Sequence, residues 1–215
     1  TITTLDHGVF YNCNSLTSVI IDGSPTVING SMFFGCSSLT QFNIPDSVTS
    51  LGSTVFSNCI SLTSLSLPSG ITSIGTGCFE AASSLTSMSI PNGVTSLEQS
   101  TFRMCTNLTS VTLSNNLQSI GFRAFENTSL ESIVIPSTVT SIDPNAFYSV
   151  NSNFTEVVIE NNVAALFGMT SPSGPITFFS ATNVNLVEDS VVVNGNIITF
   201  SGFGELSAAT ITANL

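Results

Sequence analysis

The sequence has no lysine, two arginines and one histidine, and these shortages remove whole classes of function. Affinity for nucleic acid comes from cations that neutralise phosphates, and attraction to anionic lipid needs the same side chains. Arg103 and Arg123 stand against thirteen acidic residues, a formal net charge of -11, so no nucleic acid and no anionic membrane is expected as a partner. Charged residues of both signs are only 7% of the chain, whereas a disordered acidic tail would combine high charge with low hydrophobicity. No apolar run approaches the ~20 residues that cross a bilayer as a helix, and membrane insertion is not expected. Acidic residues come together only at Glu156/Glu160 and Glu188/Asp189, without the alternating oxygen-ligand spacing of a Ca²⁺ loop. Both places read as solvated acidic surface, with no metal and no cofactor. Starting at Thr1 without an initiator Met or a charged-then-apolar leader, the chain reads as a processed form or a piece of something longer.

Catalytic constellations are missing too. His7 is the lone imidazole, and no Ser-His-acid or Cys-His arrangement forms around it; it reads as a turn or surface residue. Paired carboxylates for glycoside chemistry would have to converge from separate segments. Glu131 and Glu156 come nearest, but they occupy different columns of the repeat described below. The expectation is a protein that is not an enzyme.

What is present is periodicity. Phe10, Phe33, Phe56, Phe79, Phe102, Phe125 and Phe147 recur at steps of 23 residues, the last being 22. Leu16, Leu39, Leu62, Leu85, Leu108 and Leu130 keep the same period, and Phe154 continues them. Two independent ladders of one period mark an internal repeat.

Within a period the apolar rhythm changes. Phe56, Cys59 and Leu62 are three apart, which predicts a helical or 3₁₀ turn. Leu65 and Leu67 are two apart, which predicts a strand with one side in the core. Pro68, with Pro45, Pro91 and Pro136 in the other periods, ends that strand. A second extended piece follows, Ile71 to Ile74, matched by Val48 to Leu51, Val94 to Leu97, Leu117 to Ile120 and Val139 to Ile142. One such coil cannot bury its own apolar face, whereas stacked coils make a continuous core. The fold class expected is therefore a solenoid, a leucine-rich repeat of about 23 residues per coil with a parallel β-sheet on one face. At the ~4.8 Å strand spacing, seven coils give a rod or shallow arc roughly 35 Å long.

The strand and turn text, SLTSLSLPSGITSIGTGCF and SLTSMSIPNGVTSLEQSTF, resembles the BspA-like (Treponema pallidum-type) leucine-rich repeats of bacterial and some protist surface proteins. The resemblance covers about residues 1–160 and implies an extracellular or cell-surface setting, with adhesion or partner binding as the usual role. It carries no catalytic residues. Asp22 and Ser114 stand where the turn proline usually sits, and Ala82, Thr128 and Val150 replace the recurring cysteine.

The expected division is a solenoid over residues 1–162, its first coil incomplete, and a β-rich cap or assembly segment over 163–215. In the second part, Asn194-Gly195 between two apolar runs signals a hairpin. The opening TITTL and closing ATITANL are alike in pattern, and an open coil end invites pairing, so self-association through the chain ends, head to tail in a surface filament, is expected. The alternative is a monomeric ligand-binding ectodomain. Its site would be the neutral sheet face of Ser18, Gln41, Ser64, Ser87 and Ser110 beside Asn43, Ser66, Ser89 and Thr112, taking a protein or glycan. Thr49, Thr72 and Thr95 form a further column, interrupted by Gln118. Sequons at Asn29, Asn107, Asn127 and Asn153 are candidate N-glycosylation sites. Cys13, Cys36, Cys59 and Cys105 share one place in their coils and are expected to point inward as small hydrophobes; stacked neighbours such as Cys13 and Cys36 are placed to bond. Their spacing is not that of a zinc site. Cys78, beside inward Phe79, is expected to face outward.

Overall fold

A computed structural model describes residues 6–143, 145–150 and 154, with the backbone of strands at 156–159, 191–194 and 197–200. In chain order these residues form β1 (Val27–Ile28), β2 (Ser50–Leu51), β3 (Ser73–Ile74), β4 (Ser87–Ser89), β5 (Ser96–Leu97), β6 (Ser110–Thr112), β7 (Ser119–Ile120), β8 (Ser132–Ile135), β9 (Ser141–Ile142), β10 (Glu156–Ile159), β11 (Val191–Asn194) and β12 (Ile197–Phe200). Among the described residues there is no helix.

Successive coils of the repeat stack with their strands parallel. The segment after the turn proline builds β1-β2-β3 and β5-β7-β9, in register Val27↔Ser50↔Ser73 and Ser96↔Ser119↔Ser141. The segment before it pairs β4 with β6, Ser87↔Ser110, and β8 with β10, Ser132↔Glu156. In the first three coils the expected strand around residues 18–20, 41–43 and 64–66 makes no ladder. The alternation of burial survives there, with Phe42, Ile44 and Leu65 buried. Phe42 stands where later coils have Leu65 and Met88, and its ring lies 4.7 Å from Phe33 and 5.7 Å from Phe56, tilted against both. That wedge fills the core without bringing the strand segments into pairing. A second gap in the ladders falls between β3 and β5.

The third side of each coil departs from the sequence expectation most. The three-residue spacing of Phe56, Cys59 and Leu62 comes from chained β-turns: Cys59 N–H donates to the Phe56 carbonyl at 3.2 Å and Leu62 N–H to the Cys59 carbonyl at 3.0 Å. A helix is prevented by left-handed residues in two columns of period 23. One runs Gly8, Ser31, Thr54, Gly77, Ser100, Arg123; the other Asn12, Gly35, Asn58, Ala81, Met104, Asn127. A left-handed non-glycine residue costs roughly 1–2 kcal/mol. The return is that the N–H groups between turn bonds swing along the stack. Thr54, Phe56 and Asn58 donate to the carbonyls of Thr76, Cys78 and Glu80 at 2.9, 2.8 and 2.8 Å, and the same triplet repeats from Gly8 to Met104. Every one of these donors points to the higher-numbered coil. Beside the proline turn the sense reverses, with Thr49 and Thr72 N–H donating to the lower-numbered Thr26 and Thr49. Across the gap between β3 and β5 the turn side stays continuous.

The core follows the two ladders. Phe33, Phe56, Phe79, Phe102 and Phe125 are fully buried, as are Leu39, Leu62, Leu85, Leu108 and Leu130. From Phe10 to Phe147 each phenylalanine ring stacks on the next at 5.1–5.9 Å between centroids. Cys78 is buried, not outward. It belongs to an inward column with Met32, Val55, Thr101 and Ala124, because the left-handed residue ahead of it turns two consecutive side chains into the core. Alternation is a property of strands and does not hold in these turns. Cys36, Cys59 and Cys105 are buried as expected, but Cys13 is exposed. β11 and β12 pair antiparallel with Asn194↔Ile197, and β12 lies antiparallel on β10 with Val157↔Phe200. The strands expected on either side of Asn194-Gly195 thus pair with each other, Asn194 being the last residue of β11.

Candidate functional site

The segment before the turn proline presents one polar column beside another. Ser18, Gln41, Ser64, Ser87 and Ser110 are exposed, and so are Asn43, Ser66, Ser89 and Thr112. The β4–β6 register sets Ser87 against Ser110 and Ser89 against Thr112, so the columns predicted from spacing are columns in space. The ends of the inner column differ in character: Ile20 is 93% exposed and Val134 47%.

Between the third and fifth coils this face sinks into a shallow groove of about 780 Å³, bordered by Ser64, Ser66, Ser87, Ser89, Asn92 and Thr112 over Leu65, Met88 and Leu113. Neither charge nor aromatic ring lines it. Among the described residues the hydroxyls of Ser66, Ser87, Ser89, Ser110 and Thr112 take no partner from the chain. The threonines beyond the proline turn behave otherwise. Thr49, Thr72 and Thr140 donate their hydroxyls to the carbonyls of Thr26, Thr49 and Gln118, one coil below, at 3.2–3.3 Å. One hydroxyl face is engaged in holding coils together, and the other is open to a ligand.

The sequons are not equivalent. Asn107 is exposed, Asn29 is half-buried beside β1, and Asn127 is half-buried in a left-handed turn with φ 54°. Asn153 lies outside the described residues, as do the Glu160 and Glu188/Asp189 acidic positions. His7 and Glu131 are exposed.

A charged ladder escaped the sequence reading. Glu80, Arg103 and Glu126 occupy one column at intervals of 23, directly after the core phenylalanines. Arg103 donates through Nη1 to Glu80 at 2.6 Å and through Nε to Glu126 at 3.2 Å. Arg123 brings its Nε to 3.1 Å from the same Glu126 oxygen, an ion-pair distance without hydrogen-bond alignment. Its guanidinium lies 4.8 Å from the Phe122 ring centroid and 5.8 Å from that of Tyr148. Both cations of the chain therefore serve one buried carboxylate, Glu126, whose side chain is 5% exposed. Hydrogen bonds to Glu80 raise the Arg103 pKa further. The signal that could have found this ladder was the period itself, applied to charges as it was to apolar residues.

The thiols are chemically quiet. Desolvation pushes Cys59 and Cys105 up to about 12, and it raises Cys78 as well. Cys59 and Cys105 donate S–H to the carbonyls of Phe33 and Phe79 at 3.1 and 3.0 Å. In the coil where Ala82 replaces the recurring cysteine, the backbone amides of Val55 and Phe56 face the Cys78 thiol and oppose that rise. Where Thr128 replaces it, the hydroxyl donates to Phe125 at 2.9 Å. Among the described residues no group of three or more metal-binding side chains converges.

Comparison with known proteins bears on this geometry. The family described as BspA type leucine rich repeat region matches in six copies, over residues 3–102 and 81–169. A leucine-rich cell surface protein of Faecalibacterium prausnitzii is similar in structure, with TM-score 0.64 and 31% identity, covering 83% of this chain and 44% of that one. The Treponema pallidum leucine-rich-repeat protein is similar at TM-score 0.55 and 26% identity, covering 64% of this chain and 61% of that one. The chain thus spans less than half the length of the first and about three-fifths of the second. Among curated proteins none matches. An extracellular or cell-surface setting and a non-enzymatic role go with these repeats, and the chain is a member of the BspA-type leucine-rich-repeat family.

Proposed function

We propose that this chain is a surface-displayed binding module whose neutral strand face, centred on Ser66, Ser89 and Thr112, docks another protein. The observation that carries the reading is the contrast between the two hydroxyl faces. Beyond the proline turn, threonine hydroxyls close onto carbonyls of the coil below, whereas on the strand face the hydroxyls stay open around a groove with an apolar floor. Polar groups that fix orientation over an apolar base are the usual make-up of a recognition site. The absence of cations from the lining argues against an acidic glycan.

The pairing of β12 on β10 supports reading residues 163-215 as a cap on the last coil. Under that reading the last coil is covered, and the faces of the stack are left for partners.

The test is binding of the intact chain to an array of cell-surface proteins and neutral glycans, with two double variants. S66R/S89R fills the groove with bulk and charge; T49R/T72R adds the same charge to the other face. Loss of at least tenfold in affinity for a protein ligand is expected for the first variant alone. Equal binding by all three chains, or binding confined to glycans, would sink the proposal.

A further inference from the structure

We propose that Cys13 and Cys36 form a disulfide under oxidising conditions, tying the first described coil covalently to the second. Both thiols occupy the same column at one repeat interval. The Phe10 carbonyl accepts the Cys13 N–H at 3.1 Å and the Cys36 S–H at 3.1 Å, so the Cys36 sulfur sits over the Cys13 backbone. The Cys13 backbone amide faces that sulfur and opposes the rise that burial gives the Cys36 thiol. In-register positions on stacked coils lie about 4.8 Å apart, inside the roughly 4.4–6.8 Å between Cα atoms that a disulfide spans.

Selectivity follows from access. Cys13 is exposed, and the other four cysteines are buried. Cys36 and Cys59 repeat the same stacking, since the Cys59 thiol donates to Phe33 at 3.1 Å, but an oxidant reaches neither sulfur from solvent. Cys105 has Ala82 and Thr128 as its column neighbours, and Cys78 has Val55 and Thr101, so neither has a thiol beside it in its own column. Cys13 is the entry point and Cys36 the one thiol stacked on it.

With a small disulfide RSSR as oxidant, the Cys13 thiolate attacks one sulfur, forming Cys13–S–S–R and releasing RS⁻. Cys36 then attacks the Cys13 sulfur as its proton passes to the departing RS⁻. The Cys13–SR bond breaks, a second RS⁻ leaves, and both RS⁻ are protonated. Two thiols are oxidised to one disulfide while RSSR is reduced to two RSH. The product staples the first described coil to the second, in the kind of compartment where disulfides persist.

The experiment incubates the whole chain with oxidised glutathione, alkylates remaining thiols after unfolding, and maps the peptides by mass spectrometry. A Cys13–Cys36 linked peptide pair with loss of two hydrogens is expected, with an upward shift of the melting transition. The exposed C13S substitution, which leaves the core untouched, should abolish both and leave Cys36 fully alkylated, whereas C59S should keep the link. Cys13 recovered only as a glutathione adduct with Cys36 alkylated, or joined to Cys13 of a second copy, would overturn the proposal. So would a Cys36–Cys59 link in its place.

Discussion

Cys59 and Cys105 are small residues, yet they tie the stability of the stack to pH. Each is buried as a neutral thiol and pushed from 9.0 up to about 12, with desolvation the first cause. A folded pKa above the unfolded one means the native chain holds its proton longer. The stabilisation is therefore complete below about pH 9 and is lost as pH rises toward 12. Denaturant titrations across that window should show stability falling by about 1.4 kcal/mol per pH unit for each such thiol. Replacing either with alanine should flatten the slope by that amount, and an unchanged slope would contradict the assignment. At this scale the sequence was informative about columns and less so about direction. The phenylalanine, leucine and cysteine ladders and the open serine columns could all be read from the period. Cys78 could not, because its inward turn depends on a left-handed Gly77 that no apolar rhythm encodes. Cys13 could not either, since its exposure depends on what neighbours the first coil.

The elements differ in how much room they leave between coils. A Cβ on Gly75 would lie 2.5 Å from the Ser53 nitrogen, whereas one on Gly70 would meet nothing nearer than 3.9 Å. Neither glycine has a positive φ, so spacing alone separates them. G75A is expected to cost about 1–3 kcal/mol by forcing backbone apart, and G70A to be neutral or mildly stabilising; equal effects in thermal denaturation would show that coils slide freely. The charged ladder makes a second comparison. R103A removes a partner of Glu126 inside the fold and should cost about 1–3 kcal/mol, less than a wholly buried pair because Arg103 is 29% exposed. E80A leaves Arg103 bonded to Glu126 and should cost under about 1 kcal/mol. A reversed order would place the weight of the ladder at its outer end. Two elements were misjudged from sequence, both for the same reason. Side-chain spacing reports which residues meet the core, and it does not distinguish a helix from chained turns, or a paired strand from an unpaired segment such as 64–66, when both satisfy that burial.

For the whole molecule, the stack is a one-dimensional array in which each coil answers mainly to its neighbours. Its ladders break between β3 and β5, where the turn side and the phenylalanine stack carry the continuity. Native-state hydrogen exchange should accordingly show faster amides where β5 faces β3, at Thr95 and Glu98, than at the equivalent Gln118 and Gly121, while the turn side at Phe79 and Ala81 stays protected. Equal protection at the two places would mean that the stacked rings suffice.

The uniform sense of the turn-side donors, from Gly8 to Met104 all toward higher numbers, gives the molecule an arrow. Cut anywhere between Gly8 and Met104, this side shows only carbonyls on one surface and only N–H groups on the other. Two copies meeting by like surfaces with their turn sides in contact would set acceptor against acceptor, or donor against donor, along that side. An isologous, two-fold contact through coil surfaces is thereby disfavoured by the backbone itself, whatever side chains decorate it. A symmetric dimer of the described coils is expected to be built on their flanks.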